Sequence, residues 1–260
     1  MHEKSFLCGT MCDCCIARQL KMGKYIIAGI KTEYEPRYQL LRERSKLYEA
    51  DFPDGEAEIK IKLTEEFLDN QLKTFPNLTR EEHEYMWTGE GFYNEVLLHG
   101  GIVLHSSCVE KDGQCYLFSA KSGTGKSTHT HLWLKELPNT RIINDDKPLL
   151  IVKNGKVFAC GTPFSGKTDE NINETVPVRA IIFLYRSKDN KIERIKPSQA
   201  VPKFLAQTVN PHIKNYADEM LERADEILTS VPVFSLGCNK ESGTGKFAYT
   251  EIERMLTDEN

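Results

Sequence analysis

The stretch CYLFSAKSGTGKSTHTHLWLKEL, residues 115–137, constrains the fold more than any other part of this chain. An apolar run of strand character leads into a short loop with two glycines. A helical pattern follows directly and is stopped by Pro138. Glycines let the backbone N–H groups of such a loop turn inward together, and the helix behind it points its positive N-terminal end at whatever the loop surrounds. Ser122, Gly123, Thr124, Gly125, Lys126, Ser127 and Thr128 are therefore the expected phosphate cradle. Lys126 would reach the terminal phosphates, and the hydroxyl of Ser127 would ligate magnesium. Ala120 stands where a first glycine is usual.

The five letters SGTGK recur at residues 242–246. There GCNKE intervenes between the apolar run VPVFSL and the loop, and Lys246 is followed by Phe247, which cannot bind magnesium. The second copy is expected to be a turn and a helix start.

Two acids close the next short apolar run, RIINDD. Asp145 and Asp146 lie 18 and 19 residues after Ser127. Carboxylates at a strand end beside a phosphate loop can hold the metal or take a proton from an attacking hydroxyl. GTPFSGKTDEN, residues 161–171, is a second polar, Gly-rich loop, in which Lys167 can touch phosphates or the acceptor. Arg179, before the apolar run AIIFLYR, is a candidate of the same kind.

The remaining chain reads as mixed α/β. Strands are expected at KYIIAGIKTEY (24–34), AEIKIKL, EVLLHGGIVLHSSCV, QCYLFSA, PLLIVKNGKVFACG, VRAIIFLYR and VPVFSL. Hairpin turns are expected at Asp112-Gly113 and Asn154-Gly155. Helices are expected at PRYQLLRERSKLYEA, TEEFLDNQLKTF, REEHEYMW, SQAVPKFLAQTV and NYADEMLERADEILTS, with a last one from about Phe247. Thr79 and Glu82 have the spacing of a capping box. Three regions follow: a Cys-rich tail (1–20), a small N-terminal α/β segment (21–88) and a phosphate-loop domain (89–260).

Composition narrows the function. The 260 residues are 40% hydrophobic and 28% charged, as in an ordinary globular protein, and the net charge of -4 argues against nucleic acid as a partner. No apolar run has the length of a membrane span and the first residues lack the apolar core of a signal peptide, so a cytoplasmic location is expected. Four of the eight cysteines, Cys8, Cys12, Cys14 and Cys15, crowd the start. Cys8, Cys12 and Cys15 have the C-x3-C-x2-C spacing that radical-SAM enzymes use for an iron–sulfur cluster. Only seven residues precede Cys8 and no repeated strand–helix units follow, so a tail without a cluster is expected.

SAKSGTGKST followed by INDDKPLL resembles the phosphate loop and aspartate pair of HPr kinase/phosphorylase and phosphoenolpyruvate carboxykinase, and LLHGGIVLH resembles the His-Gly strand of HPr kinase. The resemblance implies a phosphate-loop domain of that type, a mixed sheet with flanking helices. It implies ATP and magnesium, with transfer of the γ-phosphoryl group to a hydroxyl of a protein, a peptide or a small metabolite. It makes Asp145 the base, Asp146 the metal ligand and His99 a neighbour of the transferred group, and it makes a homo-oligomer plausible. His105, His129 and His131 have weaker claims. A nucleotide-binding switch without an acceptor is the alternative from another class. Carboxykinase chemistry is the alternative among enzymes, for which the chain is short.

Overall fold

The computed structural model describes residues 22–208 and 216–258. The four N-terminal cysteines and the tail assigned to them lie outside the described residues. No described helix is long and apolar enough to cross a membrane.

The chain opens with a small three-stranded sheet. β1 (Gly23–Ile27) and β2 (Ile30–Tyr34) form an antiparallel hairpin, and β3 (Ile59–Ile61) lies parallel to β2. The run 24–34, expected as one strand, is thus two. Ala28 and Gly29 both take positive φ, 56° and 87°, and turn the chain as a two-residue loop. Between and after these strands come α1 (Gln39–Ser45), α2 (Glu65–Thr74) and α3 (Arg80–Leu98). Thr79 and Glu82 form the expected capping box.

α3 runs on to Leu98, across the boundary placed at 88/89. Phe92 and Val96 from its second half share one hydrophobic cluster with Tyr25, Tyr34 and Leu41 before them and with Leu149 and Ile151 after them. The small sheet is therefore packed onto the larger unit through a continuous core.

The larger sheet holds β4 (Gly101–Val103), β5 (Ser106–Lys111), β6 (Gln114–Ser119), β7 (Thr140–Asn144), β8 (Leu149–Lys153), β9 (Lys156–Cys160), β10 (Thr175–Arg186), β11 (Lys191–Arg194) and β12 (Val233–Cys238). The hairpins turn at Asp112-Gly113 and Asn154-Gly155, all four residues at positive φ. β10 pairs antiparallel with β9 at its start, then parallel with β6 and β12 further on, so the sheet is mixed.

The run Ala180–Leu184 is buried throughout because both faces of the sheet are covered. Ala180, Ile182 and Leu184 pack with Trp133 of α4 (Lys126–Glu136) and with Ala248 and Ile252 of α7 (Thr244–Thr257). Ile181 and Phe183 face α5 (Pro197–Leu205) and α6 (Ala217–Ser230), among Phe204, Ala224 and Ile227. The period-2 alternation of one strand thus fixes which helices lie on which side.

Candidate phosphate site

Strand direction builds the site. β6 and β7 end at the same edge of the sheet, where antiparallel β5 begins. Ser106 pairs with Ser119, and Cys108 pairs with Asn144. The residues flanking those ends, His105, the loop 120–125 and the pair Asp145-Asp146, are therefore brought together. Gly123 and Gly125 take φ of 75° and 123°, which side chains other than glycine rarely adopt. The first helical bond of α4 runs from the His129 N–H to the Gly125 carbonyl, so the preceding amides have no acceptor inside the helix. Lys126 Nζ lies 3.3 Å from the Ala120 carbonyl and 2.9 Å from His105 Nε2.

These elements surround a cavity of about 430 Å³ lined by the loop, Ser127, Thr128, His105, Asp145, Asp146, Lys167, Thr168 and Lys240. Asp145 is buried and both its oxygens accept hydroxyl hydrogen bonds, from Ser107 (2.6 Å) and Thr168 (2.9 Å). Ser107 in turn lies 2.9 Å from Thr130 Oγ1 on α4, which ties the carboxylate to the helix behind the loop.

Asp146 contacts Lys147 Nζ at 2.7 Å and His105 Nε2 at 3.2 Å. Burial opposes its ionisation, but a hydrogen bond from His105 and the Lys147 ammonium outweigh it and hold the carboxyl well below the usual range. Burial pushes the Lys126 ammonium down, while Asp146 and Asp145 resist that shift. His105 stands between Lys126 and Asp146. Its Nδ1 is 3.2 Å from Gln207 Oε1. A neutral ring with hydrogen on Nδ1 can donate to Gln207 and accept from Lys126. With the hydrogen on Nε2 it donates to Asp146 instead.

The loop 161–170 closes one side. Gly166 has φ of 72°, and a Cβ there would fall 2.8 Å from the Cβ of Asp146, so glycine alone allows this approach. Arg44 of α1 fastens the loop from the N-terminal segment. It donates to the Gly166 carbonyl at 2.5 Å, to the Tyr85 hydroxyl at 2.7 Å, and pairs with Asp169 at 3.3 Å.

Beyond Asp146, Gly166 and Lys167 opens a larger cleft of about 730 Å³, walled by Tyr85, Trp87, Tyr93 and Phe164. On the other side of the glycine loop, a cavity of about 230 Å³ lies between Thr124, His129, Arg186, Cys238 and Asn239.

Most residues singled out in the sequence line these cavities; His99, Arg179 and His131, which pairs with Glu170, do not. His99 caps the C-terminus of α3, is exposed, and lines none of these cavities. The residues Glu95–Leu98, expected to open a strand, are the last turn of that helix. Arg179 sits near the opposite end of β10, beside the start of β6, and forms a two-point ion pair with Glu253 of α7 (3.0 and 3.1 Å). His105 lines the phosphate cavity, and Arg186, at the other end of β10 from Arg179, lines the 230 Å³ cavity. The Arg186 guanidinium donates to the Gly123 and Thr124 carbonyls.

The second SGTGK is the N-terminus of α7, with Gly243 at φ of 92°. The strand before it runs on to Cys238, so only three residues separate strand and motif. Its own amides are occupied: Glu136 at the end of α4 accepts from the Gly243 N–H (2.8 Å) and the Lys246 N–H (2.9 Å). This copy is an anion nest filled by a carboxylate of the helix that follows the first copy.

Residues 79–257 match the family described as SynChlorMet cassette protein ScmC. No curated protein matches the chain. Among solved structures the chain is similar to the HPr(Ser) kinase/phosphatase from Coxiella burnetii, at 11% identity and a TM-score of 0.37, over 61% of this chain and 99% of that one. A likeness that distant leaves the chemistry to be read from the residues themselves.

Proposed function

The chain belongs to the ScmC family of SynChlorMet cassette proteins, and we propose that it is a phosphotransferase that passes the γ-phosphoryl group of ATP to a hydroxyl acceptor. The observation that supports this best is the convergence, on one cavity, of a glycine loop at a helix N-terminus, a lysine, a serine hydroxyl and two carboxylates.

In this reading the amides of the loop and of the first turn of α4 hold the β- and γ-phosphates, and Lys126 neutralises their charge. The nucleoside extends toward the 230 Å³ cavity, which shares Gly125, Thr128 and Lys240 with the phosphate cavity.

Magnesium fits this donor set, because it takes one or two carboxylates and completes its shell with phosphate oxygens and water. Ser127 and Asp145 would hold it, and when bound it offsets the charge gathering on the phosphate oxygens. Asp146 lines both the phosphate cavity and the aromatic cleft, whereas Asp145 lines only the former. The geometry therefore supports Asp146 as proton acceptor and Asp145 on the metal side, the reverse of what the resemblance implies. His105 is a positioning residue between Lys126 and Asp146. Lys167, at the junction of the two cavities, stabilises charge on the group in flight.

The test is transfer of label from γ-labelled ATP to a pool of hydroxyl compounds and peptides. Wild type labels an acceptor and Lys126→Ala does not. ATP hydrolysis with no labelled acceptor would point to a nucleotide switch instead.

A further inference from the structure

We propose that the 730 Å³ cleft is the acceptor site and selects a hydroxyl compound carrying an aromatic or large aliphatic group beside its hydroxyl. This rests on the phosphotransferase reading and specifies its substrate.

The cleft meets the phosphate cavity at Asp146, Gly166 and Lys167, so a molecule seated in it presents its near end to the proposed γ-phosphate position. Its wall is aromatic and held in place. Tyr93 packs edge-on to Phe164 with centroids 5.5 Å apart, and Tyr85 lies 5.8 Å from Phe164. The Arg44 guanidinium stacks 4.6 Å from the Tyr85 ring while bonding its hydroxyl and the Gly166 carbonyl. Phe164 and Gly166 are two residues apart, so one loop carries both the aromatic wall and the junction with the phosphates.

Leu40, Leu78 and Met86 also line the cleft, and Met86 is 44% exposed. A volume of this size suits a drug-sized molecule or a few peptide residues. Lys147, paired with Asp146, and Lys167 line the cleft together with Arg44, Glu82 and Glu90, while half-buried Tyr85, Trp87 and Tyr93 offer it their rings. An acceptor made only of polar groups would leave those faces wet. An apolar substituent fills them and excludes water, the hydroxyl compound that otherwise competes for the phosphoryl group.

The transfer step balances as follows. The acceptor oxygen bonds to the γ-phosphorus, the bond from that phosphorus to the β–γ bridging oxygen breaks, its electron pair leaves with the nucleoside diphosphate, and the hydroxyl proton goes to Asp146.

The experiment uses the full chain, γ-labelled ATP and four probes: the peptides Ala-Ser-Phe and Ala-Ser-Ala, and the free alcohols phenylalaninol and alaninol. The two pairs separate a peptide source from a free small molecule. The expected result is a kcat/KM at least about tenfold higher for the phenyl-bearing member of one pair. Met86→Glu, at an exposed lining position, should cut that preference to below about threefold with ATP affinity unchanged. Occupancy is read independently by fluorescence, since Trp87 lines the cleft and the other tryptophan, Trp133, is fully buried. Equal labelling within both pairs, or ATP bound and hydrolysed with none of the four probes labelled or shifting the fluorescence, overturns the assignment of the cleft. If ATP itself does not bind, the phosphotransferase reading fails first.

Discussion

His129 makes the helix behind the glycine loop acid-sensitive, by an amount that can be worked out. The ring is 2% exposed, packs at a tilt against Phe118 with centroids 4.6 Å apart, and accepts a hydrogen bond from Trp133 Nε1 at Nε2 (3.2 Å). Protonating Nε2 would set two donors against each other inside the core. Burial pushes the imidazole down to about 4, only weakly opposed by Glu136. A histidine with a depressed folded pKa binds fewer protons folded than unfolded between the two values. Stability is therefore intact above about 6.5 and is lost as pH falls toward 4. The full loss is about 3 kcal/mol, and about 2 kcal/mol of it is gone by pH 5. His129→Gln keeps an acceptor for Trp133 and removes the titration. Urea unfolding of both proteins at pH 7.5 and 5 should show wild type losing about 2 kcal/mol more than the variant. Losses that agree within about 0.5 kcal/mol would refute the reasoning, because His129 would then titrate alike in both states.

Removing the Glu136 carboxylate with Glu136→Ala leaves two amides of α7 without their acceptor; a loss of about 1–2 kcal/mol in urea unfolding is expected, partly restored by sulfate. A loss under about 0.3 kcal/mol would mean that water replaces the carboxylate without cost. Asp146→Asn should retain ATP binding and slow transfer by about 10²–10⁴-fold, whereas Asp145→Asn should raise the magnesium concentration needed for half-maximal rate. The opposite pattern would restore the assignment implied by the resemblance.

What could be read in the sequence was local. The loop, the capping box and both hairpin turns are short-range signals: glycine, asparagine and aspartate at given offsets set the loop and the turns, and threonine and glutamate three apart set the capping box. Asp145 and Asp146 are legible at the cavity because a strand end brings its own acids to the sheet edge. The position of His105 at the cavity is not legible in the sequence because it depends on strand pairing, with Ser106 facing Ser119 across a hairpin. His99 lies away from the cavity because the apolar run around it is the end of a long helix, which the sequence hides. Arg44 could not be found at all: it acts on Gly166 from 122 positions away. The second SGTGK carries the same letters as the first, and its different fate turns on Glu136, 107 positions from Gly243.

The most direct measurement is calorimetric titration of ATP–magnesium into wild type, Lys126→Ala and Lys246→Ala. Lys126→Ala should weaken binding by about 1.5–3 kcal/mol, roughly 10- to 150-fold, since it removes a charge-assisted contact to phosphate. Lys246→Ala should bind as wild type does, because its loop already holds the Glu136 carboxylate. Equal losses in both variants, or no binding by wild type, would contradict the placement of the nucleotide on the first loop.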